Sequence, residues 1–545
     1  MTLTNAERRT EASNGQSKPA PRILVCDPIA EDGVAALQRA GADVEVKTGL
    51  SPEDLRKMVD GYDALVVRSE TKVTREIIEA SSTLQVVGRA GIGVDNIDLQ
   101  AATEKGIVVV NAPTGNVISA AEHAIALMLS LSRHIPEANA SLRSGKWERG
   151  KFQGIEVRGK TLGIIGLGQV GSEVARRARG LEMRVLAHDP FVPEERARVL
   201  GVDVVSLDAL IKESDFITVH TTLSEGTKSL IGQDELRAMK PTARVINTAR
   251  GGIINEAALK KALDDGWIAG AAVDVFEKEP VTDHPLFKAQ NLVVTPHLGA
   301  STAEAQERVA VDVAEQIMAV LNGQPARYAV NAPLIPAETY SFLAPYLQVG
   351  FKAGELAVQL HEGQMGRIEI DYSGEIAQHD VTPLKAAVVG GILAPISEDH
   401  VNVVNVDIIA QRRGLDITER RGPSHEIYAN LVRVRIGSKG SGSEVSATLA
   451  HDGPHIVSID GFWVDVPPSE GYLLLVENKD RPGMVGAVGN LTGEFGVNIN
   501  FMNVGKHERR GTALMVLTLD EMLTQEQLAK VKEIPDILSV KLARL

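Results

Sequence analysis

Short apolar runs alternate with amphipathic segments along the first half of the chain. Residues 23–27 (ILVCD) predict a strand, and residues 33–41 (GVAALQRAG) predict a helix that ends at a glycine. The alternation continues through a strand at DVEVK, a helix at SPEDLRKMV and a strand at DALVVRS. A second series of the same kind starts at TLGIIG and runs to about Pro296. Such alternation predicts parallel sheets that carry helices on both faces.

Two longer helices are predicted on either side of the second series. Residues 120–132 (AAEHAIALMLSLS) are apolar nearly all round, which predicts a helix that is buried or lies at a subunit contact. Residues 302–321 predict a helix that ends at Asn322-Gly323. Proline and glycine become more frequent after residue 324, so residues 331–467 are expected to form a separate mixed α+β domain.

The last 75 residues show a clear order of elements. Strand YLLLVEN, a DRPGM turn, helix VGAVGNLTGEFG and strand VNINFMNVGK are followed by strand TALMVLTLD, helix TQEQLAKVKEI and strand ILSVKLARL. This β-α-β-β-α-β order is typical of a ferredoxin-like domain. The segment PPSEG (467–471) is expected to be the linker that precedes it.

Length and charge narrow the possible functions. A chain of 545 residues predicts three or four domains, and a formal net charge of −14 disfavours nucleic acid and anionic membranes as partners. An anionic substrate would therefore require a local cluster of Arg or Lys. No apolar stretch reaches the roughly 18 residues of a membrane span, and polar residues 1–20 predict a flexible tail. The single cysteine, Cys26, fits a reducing compartment such as the cytoplasm and gives no metal site.

A dinucleotide site is predicted at the start of the second series. Residues 166–171 (GLGQVG) follow an apolar strand and precede a helix, and a second strand ends at Asp189. Gly166 permits a tight turn, Gly168 permits close approach of a pyrophosphate, and Gly171 permits close packing of helix on strand. The Asp189 carboxylate can bind ribose hydroxyls and would repel a 2′-phosphate, so NAD is favoured over NADP.

Three side chains further along suit the oxidation of a hydroxy acid. Arg250 follows a predicted buried strand in VINTARGG, Glu279 lies in VDVFEKEP, and His297 lies in TPHLGAST. An Arg can hold a carboxylate with two hydrogen bonds, and a His can exchange the hydroxyl proton near neutral pH. A Glu can orient the imidazole and favour its protonated form.

These motifs resemble those of the D-isomer-specific 2-hydroxyacid dehydrogenases, and VVRSETKVT and VVGRAGIGVDNID extend the resemblance over residues 21–330. It implies that Arg250, His297 and Glu279 are the catalytic residues and that the nucleotide domain is inserted into the substrate domain. Thr222 stands where many members have proline. The resemblance implies NAD contacts from the residues of six segments, namely Gly166, Gly168, Gln169, Val170, Gly171, Asp189, His220, Thr221, Thr248, Ala249, Asp274 and Gly299.

The segments VRSETKVT, GRAGIGVDN and KWER resemble the family members that oxidise 3-phospho-D-glycerate to 3-phosphohydroxypyruvate, the first step of phosphorylated L-serine biosynthesis. The resemblance implies that Arg68, Ser69 and Asn96 face the substrate and that Arg149 reaches it from a partner subunit. Three alternatives stay open at this point. They are a glyoxylate or hydroxypyruvate reductase, an NADH-responsive corepressor, and an amino-acid sensor with a vestigial dehydrogenase.

Residues 477–499 resemble the start of an ACT domain, a ferredoxin-like module that binds amino acids at a dimer interface. The resemblance implies that Asp480 and Asn498 bind L-serine as a regulator, although Asn478 stands where serine-inhibited relatives can carry a tyrosine. It also implies a homo-oligomer, either tetramer or dimer. The chain is expected to form a substrate-binding domain (21–118 and 299–330), an NAD-binding domain (119–298), an intervening domain (331–467) and a regulatory domain (471–545).

Overall fold

The structure is a computed structural model of the chain. It describes residues 19–397, 400–437, 442–468, 471–506 and 511–545. All but the last two residues of the predicted tail lie outside this part of the chain, as do residues 469 and 470 of the predicted linker. Among the helices of the described residues, none is both long enough and apolar enough to cross a membrane.

The first sheet consists of five parallel strands in the order β2-β1-β3-β4-β5. Its apolar strands are buried, with helices packed on both faces. One of these helices comes from much later in the chain, because α12 packs against α1 and β4. The elements are β1 (Arg22–Val25), α1 (Glu31–Arg39), β2 (Asp43–Val46), α2 (Pro52–Met58), β3 (Ala64–Val67), α3 (Arg75–Glu79), β4 (Val86–Arg89), α4 (Leu99–Lys105), β5 (Val108–Asn111) and α12 (Ala303–Leu321).

The second sheet has seven parallel strands in the order β12-β11-β10-β9-β6-β7-β8, and it lies between β5 and α12 in sequence. The predicted insertion of one parallel domain into another is therefore present in the fold. The elements are α5 (Val117–Ser132), α6 (Ile135–Arg143), β6 (Thr161–Ile165), α7 (Gln169–Gly180), β7 (Arg184–His188), α8 (Glu194–Leu200), β8 (Asp203–Val204), α9 (Leu207–Glu213), β9 (Phe216–Val219), α10 (Gln233–Ala238), β10 (Arg244–Asn247), α11 (Glu256–Asp264), β11 (Gly270–Val273) and β12 (Leu292–Val294).

The third sheet is mixed, in the order β14-β13-β15-β16-β17-β18, and only the β13–β14 pair is parallel. Strand β13 alternates buried and partly exposed positions, and its Tyr372 is fully buried against the helices. The elements are α13 (Ala337–Leu360), β13 (Arg367–Gly374), α14 (Thr382–Leu393), α15 (Val406–Arg412), β14 (Asp416–Gly422), β15 (Asn430–Ile436), β16 (Ser443–Ala450), β17 (Gly453–Ile459) and β18 (Phe462–Val466).

The fourth sheet is antiparallel, in the order β20-β21-β19-β22, and it confirms the predicted ferredoxin-like arrangement. Helices α16 and α17 cover one face. The opposite face, with Leu473, Leu475 and Val516, joins Leu360 and Val464 of the preceding unit in one hydrophobic core. The third and fourth units therefore share a core although their sheets are separate. The elements are β19 (Tyr472–Lys479), α16 (Met484–Glu494), β20 (Ile499–Lys506), β21 (Thr512–Leu519), α17 (Gln525–Lys532) and β22 (Ile537–Arg544).

Candidate active site

The candidate site lies where the carboxyl edges of the first two sheets face each other. Arg68 follows β3, Arg89 ends β4, and Arg250 follows β10. The two domains contact each other here. Arg250 Nε lies 3.6 Å from Asp95 Oδ2, in the loop after β4. In open parallel sheets, ligands bind at this edge, so the arrangement supplies a cleft between the two domains.

The turn between β6 and α7 depends on three glycines. Gly166 has a φ of +91°, and a Cβ there would lie 2.7 Å from the carbonyl oxygen of His220. A Cβ on Gly171 would lie 2.0 Å from the carbonyl oxygen of Gly166, so helix and strand pack too closely for a side chain. A Cβ on Gly168, by contrast, would meet nothing within 4 Å. Gly168 therefore leaves open space in front of the helix N-terminus, as a pyrophosphate requires.

The Asp189 carboxylate lies immediately beside this turn. One oxygen accepts a hydrogen bond from the Leu167 amide at 2.8 Å, and the other accepts one from the Phe191 amide at 2.9 Å. The carboxylate thus ties the end of β7 to the glycine turn. It remains partly exposed there, at the position from which a ribose hydroxyl can be bound.

Two buried hydroxyls near the turn lack internal partners. Thr221 Oγ1 and Thr248 Oγ1 have no hydrogen-bond partner among the described residues. Both belong to loops that follow strands adjacent in the sheet, and the His220 amide donates to the carbonyl of Ile165. Burial lowers the pKa of His220 to about 4, so its imidazole is neutral. The open glycine turn and the unsatisfied hydroxyls fit a dinucleotide, with Gln169 and Val170 starting the helix and Ala249 following Thr248.

Asp274 holds the loop that carries His297. Its fully buried carboxylate accepts hydrogen bonds from Thr295 Oγ1 at 2.5 Å, the Leu298 amide at 2.8 Å and the Gly299 amide at 2.9 Å. His123 Nε2 lies 3.2 Å away. Burial alone would raise the pKa of Asp274, but the hydrogen bonds from His123, Thr295 and Leu298 outweigh it and lower that pKa. Within this chain the carboxylate is therefore an anchor for the loop, and a contact with the cofactor stays a prediction.

His297 and Glu279 form a hydrogen-bonded pair. His297 Nδ1 lies 2.6 Å from Glu279 Oε2, and Glu279 Oε1 accepts a bond from the Phe276 amide at 2.9 Å. Burial raises the pKa of Glu279, yet the bonds from His297 and Phe276 produce a net lowering. The ionised carboxylate fixes the ring through Nδ1 and leaves Nε2 as the nitrogen that can exchange a proton.

Arg89 is a candidate site residue that the sequence motifs did not single out. Arg89 joins Arg68 and Arg250 in a cluster at the facing sheet edges. Burial, and to a smaller extent the positive charges of Arg250 and Arg68, lower the pKa of Arg89 to about 10. Its buried Nε has no hydrogen-bond partner among the described residues. Gly93 leaves room for this cluster, since a Cβ there would lie 2.3 Å from Arg250 Nη2. The available signal was an Arg at a strand end beside glycines, in GRAGIG.

The other predicted substrate residues lie on the loop after β3 or beside it. Arg68 donates its amide to Asp27 and its Nη1 to the Pro28 carbonyl at 3.2 Å, and Ser69 is exposed. Asn96 donates its Nδ2 to the carbonyls of Arg68 and Thr71, at 2.7 and 2.6 Å. The Asn96 amide nitrogen thus holds the loop. Arg149 lies exposed in a short 3-10 helix, Arg149–Phe152, and its reach into a second subunit stays a prediction.

The two predicted regulatory residues lie at opposite ends of the fourth sheet. Asp480 follows β19 and pairs with Lys506 at 2.7 Å, at the end of β20. Asn498 precedes β20 and donates to Asp520 Oδ2 at 3.1 Å. The eight residues of β20 span about 25 Å. Within one chain the two side chains therefore cannot hold the same small ligand.

Comparisons with known proteins agree with this geometry. Residues 125–299 match the D-isomer specific 2-hydroxyacid dehydrogenase NAD binding domain, residues 342–460 the D-3-phosphoglycerate dehydrogenase intervening domain, and residues 472–536 the ACT domain. The chain is 46% identical over 546 residues to D-3-phosphoglycerate dehydrogenase 2, chloroplastic, of Arabidopsis thaliana, covering 96% of this chain and 87% of that protein. It is 44% identical over 525 residues to D-3-phosphoglycerate dehydrogenase of Methanocaldococcus jannaschii, covering 96% and 100%.

Among solved structures, a glyoxylate reductase from Paecilomyes thermophila matches with a TM-score of 0.53 and 30% identity, covering 57% of this chain and 98% of that one. The fold and the site define an NAD-dependent oxidoreductase of the 2-hydroxyacid dehydrogenase class. The chain belongs to the D-3-phosphoglycerate dehydrogenase family. The predicted family, fold class and cofactor are thereby confirmed.

Proposed function

We propose that this enzyme oxidises 3-phospho-D-glycerate to 3-phosphohydroxypyruvate with NAD, the first step of phosphorylated L-serine biosynthesis. The proposal rests on the placement of Arg68, Arg89 and Arg250 at the facing carboxyl edges of the first two sheets. His297 follows β12 at the same edge of the second sheet. A chain with a formal net charge of −14 concentrates three guanidinium groups at one place. Such a cluster matches a substrate with both a carboxylate and a phosphate.

The residues divide the chemistry among themselves. Arg250 holds the substrate carboxylate, while Arg68 and Arg89 bind the phosphate through charge-assisted hydrogen bonds. His297 Nε2 accepts the hydroxyl proton, and the Glu279 carboxylate stabilises the resulting imidazolium. NAD, when bound on the glycine turn at Gly168, would accept the two electrons that leave the substrate carbon carrying the hydroxyl.

The test is an NADH absorbance assay with 3-phosphohydroxypyruvate, hydroxypyruvate and 2-oxoglutarate as alternative substrates. We expect kcat/KM to be roughly 100- to 10,000-fold higher for the phosphorylated substrate, since two charged contacts to the phosphate contribute about 1.5–3 kcal/mol each. Arg89→Met should remove most of this preference, and the exposed Arg56→Met in the same domain should not. Equal or better use of hydroxypyruvate by the unmodified enzyme would overturn the proposal and favour a reductase.

We further propose that the enzyme is a cytoplasmic homo-oligomer, a tetramer or a dimer. Helix α6 supports an oligomer because none of its residues is buried by the described part of the chain. Its Ile135 and Leu142 are exposed by 50% and 56%, and Trp147 nearby by 83%. Apolar side chains this exposed are typical of a contact surface. The same contact would place Arg149 beside the cleft of a second subunit. The single, buried Cys26 fits a reducing compartment.

We also propose that L-serine binds between two ACT domains. Asp480 and Asn498 lie at opposite ends of parallel strands β19 and β20, so a two-fold arrangement of two sheets can bring Asp480 beside Asn498 of the partner subunit. Asp480 then binds the ammonium group of serine, and the side-chain amide of Asn498 of the partner subunit binds the hydroxyl or carboxylate. Asn478 Oδ1 is buried without a hydrogen-bond partner among the described residues, which leaves an acceptor two positions from Asp480.

A further inference from the structure

One turn of the substrate-binding domain is held by side chains from much later in the chain. The turn connects α4 to β5. Asn331 donates to the Ile107 carbonyl at 2.9 Å and accepts from the Val109 amide at 2.8 Å. Asn402 donates its Nδ2 to the Gly106 carbonyl at 2.6 Å. The chain from residue 331 onwards is thus fixed to this turn by specific hydrogen bonds.

The contact is closely fitted around Gly106. This residue caps α4 with a φ of +73°, and a Cβ there would lie 2.6 Å from Asn405 Nδ2 and 2.9 Å from Asn402 Nδ2. Asn405 is buried, and its Oδ1 accepts from the Asn402 amide at 2.9 Å. The hydrogen bond within the asparagine pair therefore fixes its geometry independently of the turn.

Glu104 connects the two domains through its carboxylate. Oε2 lies 2.9 Å from Arg75 Nη1 of the same domain and 2.8 Å from Arg412 Nη2 of α15. Oε1 accepts from Gln100 at 3.0 Å. The hydrogen bonds from Arg75 and Arg412 lower the pKa of Glu104 to about 2, so the carboxylate is ionised throughout the neutral range.

The other end of α4 adjoins two loops, residues 68–74 and 90–98, which carry Arg68 and Asn96 and are here termed the substrate loops. Its N-cap, Asp98, donates its amide to the Val73 carbonyl, and the Val73 amide binds the Asn96 carbonyl at 2.8 Å. Asn96 in turn holds the carbonyl of Arg68. Arg75, one of the two partners of Glu104, begins α3 directly after this loop. The seven residues of α4 thus lie between the substrate loops and the intervening domain.

We propose that the intervening domain stabilises the position of the substrate loops. Arg412 and Asn402 hold the carboxyl end of α4 and thereby fix the position of Arg68. Arg412 and Asn402 are positioning residues, because they act through Glu104 and Gly106 and do not touch the substrate. The proposal rests on the proposed binding of the substrate phosphate by Arg68. It gives the intervening domain a role in substrate affinity.

The experiment measures KM and kcat for 3-phosphohydroxypyruvate, together with the NADH dissociation constant, in the full-length enzyme. For the double variant Arg412→Gln with Asn402→Ala, we expect KM to rise roughly fivefold, since a partly exposed ion pair and a hydrogen bond are lost. We expect kcat and the NADH dissociation constant to stay within about twofold, because the loop, not the cofactor site, moves. The single variant Arg412→Lys, which retains the positive charge, should restore most of the affinity for 3-phosphohydroxypyruvate.

Arg420→Gln is the matched control, since Arg420 is an exposed arginine of the same domain whose Nη1 lies 3.9 Å from Glu369 Oε2. Amide hydrogen exchange over residues 68–76 supplies a readout independent of activity. Exchange there should be faster in the double variant and unchanged in the control. An unchanged KM and unchanged amide exchange in a folded double variant would overturn this proposed role of the intervening domain. An unmodified enzyme that does not prefer the phosphorylated substrate would instead overturn the proposed function.

Discussion

Both oxygens of the Glu279 carboxylate are used within the protein. One accepts a hydrogen bond from the Phe276 amide and the other lies 2.6 Å from His297 Nδ1. His297 itself has a φ of +55°, in the left-handed region that only a few per cent of non-glycine residues adopt. The backbone of the loop is held by the buried Asp274, and the ring is held by Glu279. The position of the His297 imidazole therefore depends on two carboxylates with separate tasks.

Replacing Glu279 with glutamine should lower kcat and leave KM for the phosphorylated substrate nearly unchanged. The amide can keep a hydrogen bond to His297 but cannot stabilise the imidazolium, so we expect kcat to fall roughly 10- to 100-fold. Steady-state kinetics in the oxidative direction measures the effect. Glu277→Gln is the matched control, because Glu277 is an exposed neighbour. An equal loss in both variants would show that the effect is not specific to the pair.

The neutral His220 should make the stability of the enzyme depend on pH. Burial lowers its pKa to about 4 in the folded protein, whereas an unfolded histidine titrates near pH 6.5. Between these values the unfolded chain binds more protons, so stability falls as the pH decreases from about 6.5 to about 4. The loss at pH 5 is about 2 kcal/mol.

Urea unfolding at pH 7 and pH 5 measures this effect, with His220→Gln as the comparison. We expect the midpoint of the unmodified protein to fall further between the two pH values than that of the variant. Parallel changes in the two proteins would contradict the assignment. Because the protein has several domains, the earliest transition that changes with the variant is the relevant one.

The residues that could be predicted from sequence are those whose chemistry is local. Arg250 and His297 follow strands in contiguous motifs, and the structure places both at the sheet edges. Arg89 could not be singled out, because its significance comes from the charges of Arg250 and Arg68, which the fold brings from other strands. The separation of Asp480 from Asn498 was equally hidden, since the parallel direction of β19 and β20 sets it.

At the scale of elements, the glycines of the turn between β6 and α7 have two different roles. Some are needed for folding, and one leaves room for a ligand. Gly171 lies against the Gly166 carbonyl, whereas Gly168 faces open space. The same motif therefore contains both kinds of requirement.

Gly168→Val should fold normally and lose NADH affinity, because its side chain would occupy the space in front of the helix N-terminus. We expect the NADH dissociation constant to rise at least roughly 100-fold, since the pyrophosphate would lose its charge-assisted contacts with backbone amides. Tm should change little. Fluorescence titration with NADH and thermal unfolding measure the two quantities.

Gly171→Val serves as the counterpart of this variant. Its side chain would meet the Gly166 carbonyl, so it should lower Tm strongly or prevent soluble expression. Normal NADH binding by a folded Gly168→Val protein would show that the pyrophosphate does not approach that position.

Periodicity decided which elements could be predicted. The alternating series of the first two sheets and the order of the fourth were predicted correctly, because their strands are apolar and their turns carry glycine. The third sheet was not resolved into elements. Its β14 (DITERRG) lacks an apolar alternation, and α14 is apolar on nearly every side, so neither has a clear period. The domain boundaries stay predictions.

At the scale of the whole molecule, the last two units form one core. Leu473 and Val516 of the fourth sheet pack with Leu360 and Val464, and Arg544 exchanges two hydrogen bonds with Gln359, each at 2.8 Å. The intervening unit in turn holds the α4 turn through Asn402. The fourth sheet is therefore connected to the substrate loops through a continuous series of packed elements and hydrogen bonds.

The binding of serine across two copies can be tested by mixing inactive regulatory sites. In the Asp480→Ala and Asn498→Ala homo-oligomers, every site lacks one of its two side chains, so we expect millimolar L-serine to inhibit neither.

A mixed oligomer, prepared by co-expression with two affinity tags, contains interfaces where one site has lost both side chains and the other has both. About half of the hetero-interface sites are then intact, and sensitivity to serine should return in part. The unmodified enzyme and each homo-oligomer, purified through the same two tags, are the controls. Sensitivity in the Asn498→Ala homo-oligomer would place the ligand on Asp480 alone, whereas insensitivity of the unmodified enzyme would leave the fourth sheet as a structural dimerisation module. Recovery only in the mixed oligomer requires that the site be shared, because Asp480 and Asn498 of one chain lie about 25 Å apart along β20.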